Sequence, residues 1–152
     1  MGQLNMHHDH NPMNDQEKLK SVAEKIYHLW DKALSNNDVE GLLSLYAVDA
    51  TIESPLIPHL LKIDSGICKG RDELHLFIGK VAQRKPLIRK YFKKNFFTDG
   101  KTLMFEYPRQ TPDGEQMDFV EVMEIKDGLI QYHRVYWGWR GLKVIQEDLY
   151  HR

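Results

Sequence analysis

Apolar residues recur at spacings of three and four along Leu19, Val22, Ile26, Trp30 and Ala33. That pattern predicts an amphipathic helix beginning near Asp15, with one face buried. Asn36-Asn37-Asp38 interrupts it, and Asp38 is suited to cap a second, shorter helix carrying Leu42, Leu43, Leu45 and Tyr46. Ala50-Thr51-Ile52-Glu53-Ser54 then reads as a short strand stopped by Pro55. After a loop containing Pro58 and Gly66, Gly70-Arg71-Asp72 opens a third helix with Leu74, Phe77, Ile78 and Val81 as its apolar stripe.

The second half changes period. Asp99-Gly100, Asp113-Gly114 and Asp127-Gly128 stand 14 residues apart, each between aromatic and β-branched runs. Asp-Gly in that setting signals a hairpin, because Gly accepts the positive φ that the turn demands. Three turns join four strands, near 87–97, 101–109, 115–125 and 129–139, into an antiparallel meander. Gly141 is expected to end it, with a short closing helix over Leu142 to Tyr150. Helices first and sheet afterwards predict an α+β fold with the helices on one face of the sheet. A sheet curved around a helix makes a cone, and the mouth of a cone is a place for a small molecule.

Composition narrows the picture. The 152 residues suit one domain, and 41% hydrophobic residues can bury a core. Residues 1–14 are polar and aperiodic and are read as a tail, leaving 15–152 as the single domain. With 21 Lys and Arg against 22 Asp and Glu, the formal charge of −1 does not hold the chain to nucleic acid or to an anionic membrane. One cysteine, Cys68, excludes an intramolecular disulfide framework and fits a reducing compartment. No apolar run approaches the roughly 18 residues of a membrane span. The first residues lack a signal-peptide succession, so a cytoplasmic location is expected.

The stretch from Trp30 to Pro55, WDKALSNNDVEGLLSLYAVDATIESP, resembles the start of the nuclear transport factor 2-like superfamily, its SnoaL-like branch in particular. The shared pattern is a helix, an Asn/Gly-Asp turn, a short helix and an acidic strand ending in Pro. Gly70-Arg71-Asp72-Glu73-Leu74 and Asp127-Gly128-Leu129-Ile130 match in type and order, so the resemblance spans roughly residues 15–140. It implies a cone-shaped domain of three N-terminal helices on a strongly curved antiparallel sheet. It also implies a homodimer formed through the outer sheet face. Members range from isomerases, polyketide cyclases, dehydratases and epoxide hydrolases to non-catalytic binders, so the fold alone says little about the reaction.

Within that superfamily, ketosteroid isomerase uses an Asp base at the end of the first strand and an oxyanion hole of a Tyr and a protonated Asp. Carried over by the resemblance, the base position falls on Ser54, the Tyr position on Trp30 and the second carboxylate on Glu121. A serine hydroxyl does not accept a proton at neutral pH as a carboxylate does. Trp30 offers an N–H but no acidic hydroxyl. Steroid isomerisation by that route is therefore disfavoured.

Strand alternation suggests other chemistry. If Glu121 points into the cone, so do Phe119, Met123 and Ile125, and the resemblance puts His133, Val135 and Trp137 inside on the last strand. A three-residue turn over Lys126-Asp127-Gly128 sets Glu121 opposite His133, a carboxylate–imidazole pair suited to general acid/base work. A two-residue Asp-Gly turn slips the register by one and sets Glu121 opposite Arg134, an ordinary cross-strand ion pair. Trp137 and Trp139 share the face of His133 and would wall the cavity, while Tyr132, Arg134 and Tyr136 share the other face and would meet a partner subunit. Asp118 falls on the face away from Glu121.

The remaining candidates point elsewhere. The basic run 84–94 interleaves Tyr91 and Phe92 with six Lys and Arg. That mixture can bind nucleic acid, but the neutral chain favours a solvated strand protected from edge pairing. His7, His8, Asp9 and His10 resemble a metal patch without fixed geometry. His28 is expected on the exposed side of the first helix, and His59, His75 and His151 without convergent partners. Lys69 and Arg71 beside Cys68 would favour its thiolate, but no base is near. No zinc-type spacing, phosphate loop or nucleophile elbow occurs, so neither metal nor cofactor is expected. Two readings stay open. One is an isomerase, cyclase or dehydratase acting on a small apolar or carbonyl-containing ligand. Glu121 and His133 would move protons, and Trp30, Ser54, Phe119, Met123 and Trp137 would hold the ligand. The other is a ligand-binding or dimeric interaction domain without turnover.

Overall fold

Asn14 starts the first helix, α1 (Asp15–Ser35), with a reciprocal cap: its side chain accepts from Glu17 N, and the Glu17 carboxylate accepts from Asn14 N. The computed structural model describes residues 13–83, 95–106 and 119–148, and the backbone alone of 109–110 and 116–117. Most of the polar tail with His7, His8, Asp9 and His10, the basic run 84–94, the Asp113-Gly114 turn, Asp118, His151 and the expected helix end at Tyr150 lie outside those residues. The buried stripe of α1 is Ala23, Ile26, Tyr27, Trp30, Ala33 and Leu34. Leu19 and Val22, expected in that stripe, are exposed. The start of α1 runs past the sheet and meets the Asp99-Gly100 turn, which Gln16 reaches through the carbonyl of Asp99.

Asp38 caps α2 (Val39–Leu43) by accepting from Gly41 N. β1 (Tyr46–Glu53) follows and therefore begins at Tyr46, a residue expected on the helix. A short helix, α3 (Leu56–Leu61), stands where a loop was expected. Ser54 starts it, its Oγ accepting from Leu56 N and its carbonyl from Ile57 N. Pro58 is tolerated because N–H groups of a first turn have no partner within the helix. Then come β2 (Ile67–Lys69) and α4 (Arg71–Ala82), whose buried face is Leu74, Phe77 and Ile78. Among the described residues, four helices, where three were expected, thus precede the meander.

The rest is β3 (Phe97–Thr98), β4 (Thr102–Glu106), β5 (Arg109–Gln110), β6 (Gln116–Met117), β7 (Phe119–Lys126), β8 (Leu129–Trp137) and α5 (Trp139–Gln146). The result is an α+β fold with a curved six-stranded sheet in the order β2-β1-β8-β7-β4-β3, beside a small β5-β6 ribbon. The sheet is not wholly antiparallel. β1 lies parallel to β8, with Ile52 beside His133, because the helices carry the chain back to the strand that the meander reaches last. α5 begins at Trp139, so Gly141 lies inside a helix, not at a strand end. No helix among the described residues is long and apolar enough to cross a membrane.

The last hairpin follows neither expected register. Asp127 and Gly128 both have positive φ, 52° and 77°, as a two-residue type I′ turn requires. Lys126 faces Leu129 and Ile125 faces Ile130, but Glu124 faces Tyr132, so Gln131 is an extra residue in β8. Beyond this bulge Met123 faces His133 and Glu121 faces Val135. An unbulged two-residue hairpin would carry Arg134 to Glu121. The bulge advances β8 by one residue, and since side chains alternate with period two, it returns His133 to the face of Glu121. Arg134 stays outside, 3.5 Å from Glu124.

Deleting Gln131 should remove the bulge but keep Glu124 opposite Tyr132 and Glu121 opposite Val135, so a cooperative thermal transition followed by circular dichroism should survive. Deleting Tyr132 together with Gln131 should turn Arg134 and Tyr136 towards the core and abolish it. Gln131→Ala keeps the residue count and should change stability by less than about 1 kcal/mol.

Candidate active site

The helices and the concave sheet face enclose a cavity of about 80 Å³. Trp30 and Leu34 reach it from α1, Tyr46 and Ile52 from β1, Phe77 and Ile78 from α4, and Phe119, Glu121, His133, Val135 and Trp137 from β7 and β8. Most of this lining is apolar. Yet the buried polar residues among those described are Ser54, Glu121 and His133, and all three line this cavity. Burying a polar group is costly unless it is bonded, so their convergence asks for partners.

Glu121 Oε2 lies 2.6 Å from His133 Nε2. The two residues are not opposite each other. They are diagonal neighbours across β7 and β8, within reach because both are long and share one face. The other imidazole nitrogen, Nδ1, lies 2.9 Å from the hydroxyl of Tyr46, which in turn accepts from Trp30 Nε1 at 3.1 Å. Four side chains from α1, β1, β7 and β8 thus form one hydrogen-bonded line. Burial raises the pKa of Tyr46 well above the ordinary tyrosine range, with the Trp30 N–H pulling the other way and the charge of Glu121 adding to the rise.

Tyr46 was not among the expected site residues. Counting back by twos from Ser54 and Ile52 would have found it, had the strand been started at Tyr46. Ser54 Oγ accepts from Leu56 N, so its own hydrogen takes no part in that bond. Trp137 packs edge-on against Phe119, ring centroids 4.5 Å apart. A Cβ on Gly141 would lie 2.6 Å from Trp137 Cε3, so helix α5 presses on one long edge of the indole. The N–H belongs to the opposite edge, and Trp137 Nε1 is buried with no hydrogen-bond partner among the described residues.

Several expectations change. Met123 is fully buried on the same face but does not line the cavity, since it packs beneath, at the level of His133. Trp139, expected on the cavity wall, is exposed at the start of α5 because the strand ends at Trp137. His59 and His75 have carboxylate partners, Asp148 at 3.1 Å and Glu40 at 3.2 Å. Cys68 is buried in β2, and desolvation, assisted by the charge of Glu73, pushes its thiol up to about 11. Lys69 and Arg71 do not reverse that.

The sequence pattern of the SnoaL-like domain matches residues 26–133. The chain belongs to the SnoaL-like domain family, and its fold is that of the nuclear transport factor 2-like proteins. An NTF2-like protein from Anabaena variabilis superposes with a TM-score of 0.69 at 15% identity, over 86% of this chain and 97% of the other. A SnoaL-like protein of unknown function from Burkholderia thailandensis gives 0.65 at 18%, over 78% and 96%. SalBIII, an epoxide hydrolase/cyclase-like enzyme in pyran ring formation in the polyether salinomycin, gives 0.58 at 18%, over 84% and 95%. At these identities the likeness is one of fold. No curated protein matches the chain in sequence.

With its thiol pushed up to about 11, Cys68 holds about a thousandth of its population as thiolate at pH 8. A disulfide reagent should therefore react with the native protein at least about a hundredfold more slowly than with the unfolded chain, the difference narrowing as pH rises.

Proposed function

We propose that the cavity binds a small, largely apolar molecule carrying a carbonyl or comparable oxygen, and that Glu121 moves a proton on it in an isomerase- or cyclase-type reaction. One observation carries this reading: the buried polar side chains among the described residues converge on one apolar cavity, which is also lined by Trp137, whose buried indole N–H has no partner among them. Ligand sites have this make-up, apolar walls with a few placed polar groups. That SalBIII is a cyclase-like enzyme on the same fold supports ring closure as one form of the reaction.

The step can be written with its atoms balanced. The Glu121 carboxylate takes a proton from a carbon beside the carbonyl. The C–H electron pair becomes a C=C bond and the carbonyl π pair moves to oxygen. Trp137 Nε1–H, and the Ser54 hydroxyl where it reaches, donate to the oxygen as charge grows on it. If Glu121 returns the proton to a different carbon, the product is an isomer. If the enolate carbon attacks a second carbonyl within the molecule, a ring closes and the proton goes to the new alkoxide.

A non-catalytic binder is the second reading. It is favoured by Ser54, which offers no base where the resemblance has a carboxylate. In either case we propose a homodimer through the outer sheet face, where Phe97, Met104 and Tyr136 are exposed around Val122. Sedimentation velocity should give the dimer mass and Met104→Glu the monomer mass, whereas a monomeric wild type removes the dimer.

Small molecules extracted from the purified protein and identified by mass spectrometry supply the ligand. Its turnover should fall by about 10²- to 10⁴-fold in Glu121→Gln. Equal turnover in that variant would end the proton-transfer reading, and binding without turnover in the wild type would leave the binder.

A further inference from the structure

We propose that Tyr46 is a positioning residue. Its hydroxyl, held by the Trp30 N–H, donates to Nδ1 of His133 and locks the imidazole in the tautomer that donates from Nε2 to Glu121. Glu121 is then the group left to accept a proton from the ligand, a last clause that rests on the proton-transfer reading above.

The argument is a count of hydrogens along the line. At one end, Trp30 Nε1 has a hydrogen to give and no lone pair to offer. It lies 3.1 Å from the Tyr46 oxygen, so that oxygen accepts there. At the other end, an ionised carboxylate accepts and cannot give. The two groups between them, a phenol and a neutral imidazole, can each point either way. A donor at the head and an acceptor at the tail make them point the same way, from Trp30 towards Glu121.

Reversal leaves a hydrogen stranded. Tyr46 is 2% exposed, and its hydroxyl bonds Trp30 and His133 among the described residues. Its burial keeps that hydroxyl protonated. If His133 carried its hydrogen on Nδ1, the Tyr46 oxygen would receive two hydrogens and its own would point at no acceptor. With Nδ1 as the acceptor, every hydrogen in the line has a partner, and the imidazole hydrogen sits on Nε2, 2.6 Å from Glu121 Oε2. The ring itself is held by Trp30, edge-on at 5.9 Å, and by Tyr46, stacked at 6.0 Å.

This divides the work of the two residues first paired from sequence. His133 already carries a hydrogen on Nε2, and its Nδ1 is occupied by that of Tyr46, so the imidazole does not take a proton from the ligand. It orients one oxygen of Glu121. The second oxygen, which no described residue bonds, is the one that faces the reaction.

Nitrogen-15 spectra of the full-length, ligand-free protein labelled at histidine test this directly, with the His133 signals assigned by their loss in His133→Gln. The wild type should show Nδ1 with the shift of an unprotonated nitrogen and Nε2 with that of a protonated one, as a single tautomer. A protonated Nδ1 in the wild type would overturn the proposal. Tyr46→Phe removes the donor to Nδ1 while Glu121 still holds the Nε2 hydrogen, so the Nδ1 signal should move to the shift of a nitrogen without that hydrogen bond or of a protonated one. An unchanged Nδ1 signal in a folded Tyr46→Phe protein would also overturn it. Because the nitrogen shifts are read without ligand, they can fail while Glu121→Gln still abolishes turnover, and they can hold where no turnover is found.

Discussion

A carboxylate inside an apolar core must be answered, and the 2.6 Å contact between Glu121 and His133 is the answer on which this structure depends. Glu121 retains 5% of its surface and His133 3%, so water does little for either. The requirement reaches far along the chain. It needs β8 in the register that the Gln131 bulge creates, β1 alongside to bring Tyr46, and α1 across the sheet to bring Trp30. Each element is held by its own apolar packing as well. The polar line adds specificity, because a one-residue slip of β8 would leave a buried carboxylate facing a misplaced guanidinium and a phenol facing nothing.

The same reasoning separates structure from function within the cavity. Trp30, Tyr46 and His133 satisfy one another and form a support. Trp137 Nε1 and the second oxygen of Glu121 are left over among the described residues, one a donor and one an acceptor. Glu121 sits opposite Val135, with His133 and Trp137 as its two diagonal neighbours on β8. One neighbour completes a hydrogen-bonded line, while the other keeps an N–H that no described residue accepts. Gly141 matters for the same reason: only a residue without a Cβ lets α5 lie against the indole and keep that N–H turned away from it.

Much of this was legible along the chain. Period-four apolar spacing, the Asp38 cap and the Asp-Gly turns define α1, α2, α4 and the final hairpin, since these are local properties of backbone and side chain. Alternation put Phe119 with Glu121 on one strand and His133 with Trp137 on the next, and the family resemblance turned both pairs to the same side of the sheet. α3 is not legible because Ser54-Pro55 before it reads as a strand stop and its N-cap, Pro55, offers no capping side chain. Tyr46 was missed because a tyrosine after Leu45 continues a helical stripe as readily as it opens a strand. Cys68 was misjudged because its charged neighbours in sequence do not offset its burial in β2.

Sequence alone therefore determined the α+β class, the order of elements and the parity of the strands, all of which follow from interactions over a few residues. Tertiary structure decided the register and the partners. A hairpin turn sets where pairing starts, but whether β8 spends an extra residue at Gln131 depends on what its two faces meet across the sheet. Likewise, Tyr46 and His133 lie 87 positions apart and are brought to 2.9 Å by a parallel pairing that no local signal encodes. Periodicity says which way a side chain points, and only the packed sheet says what it finds there.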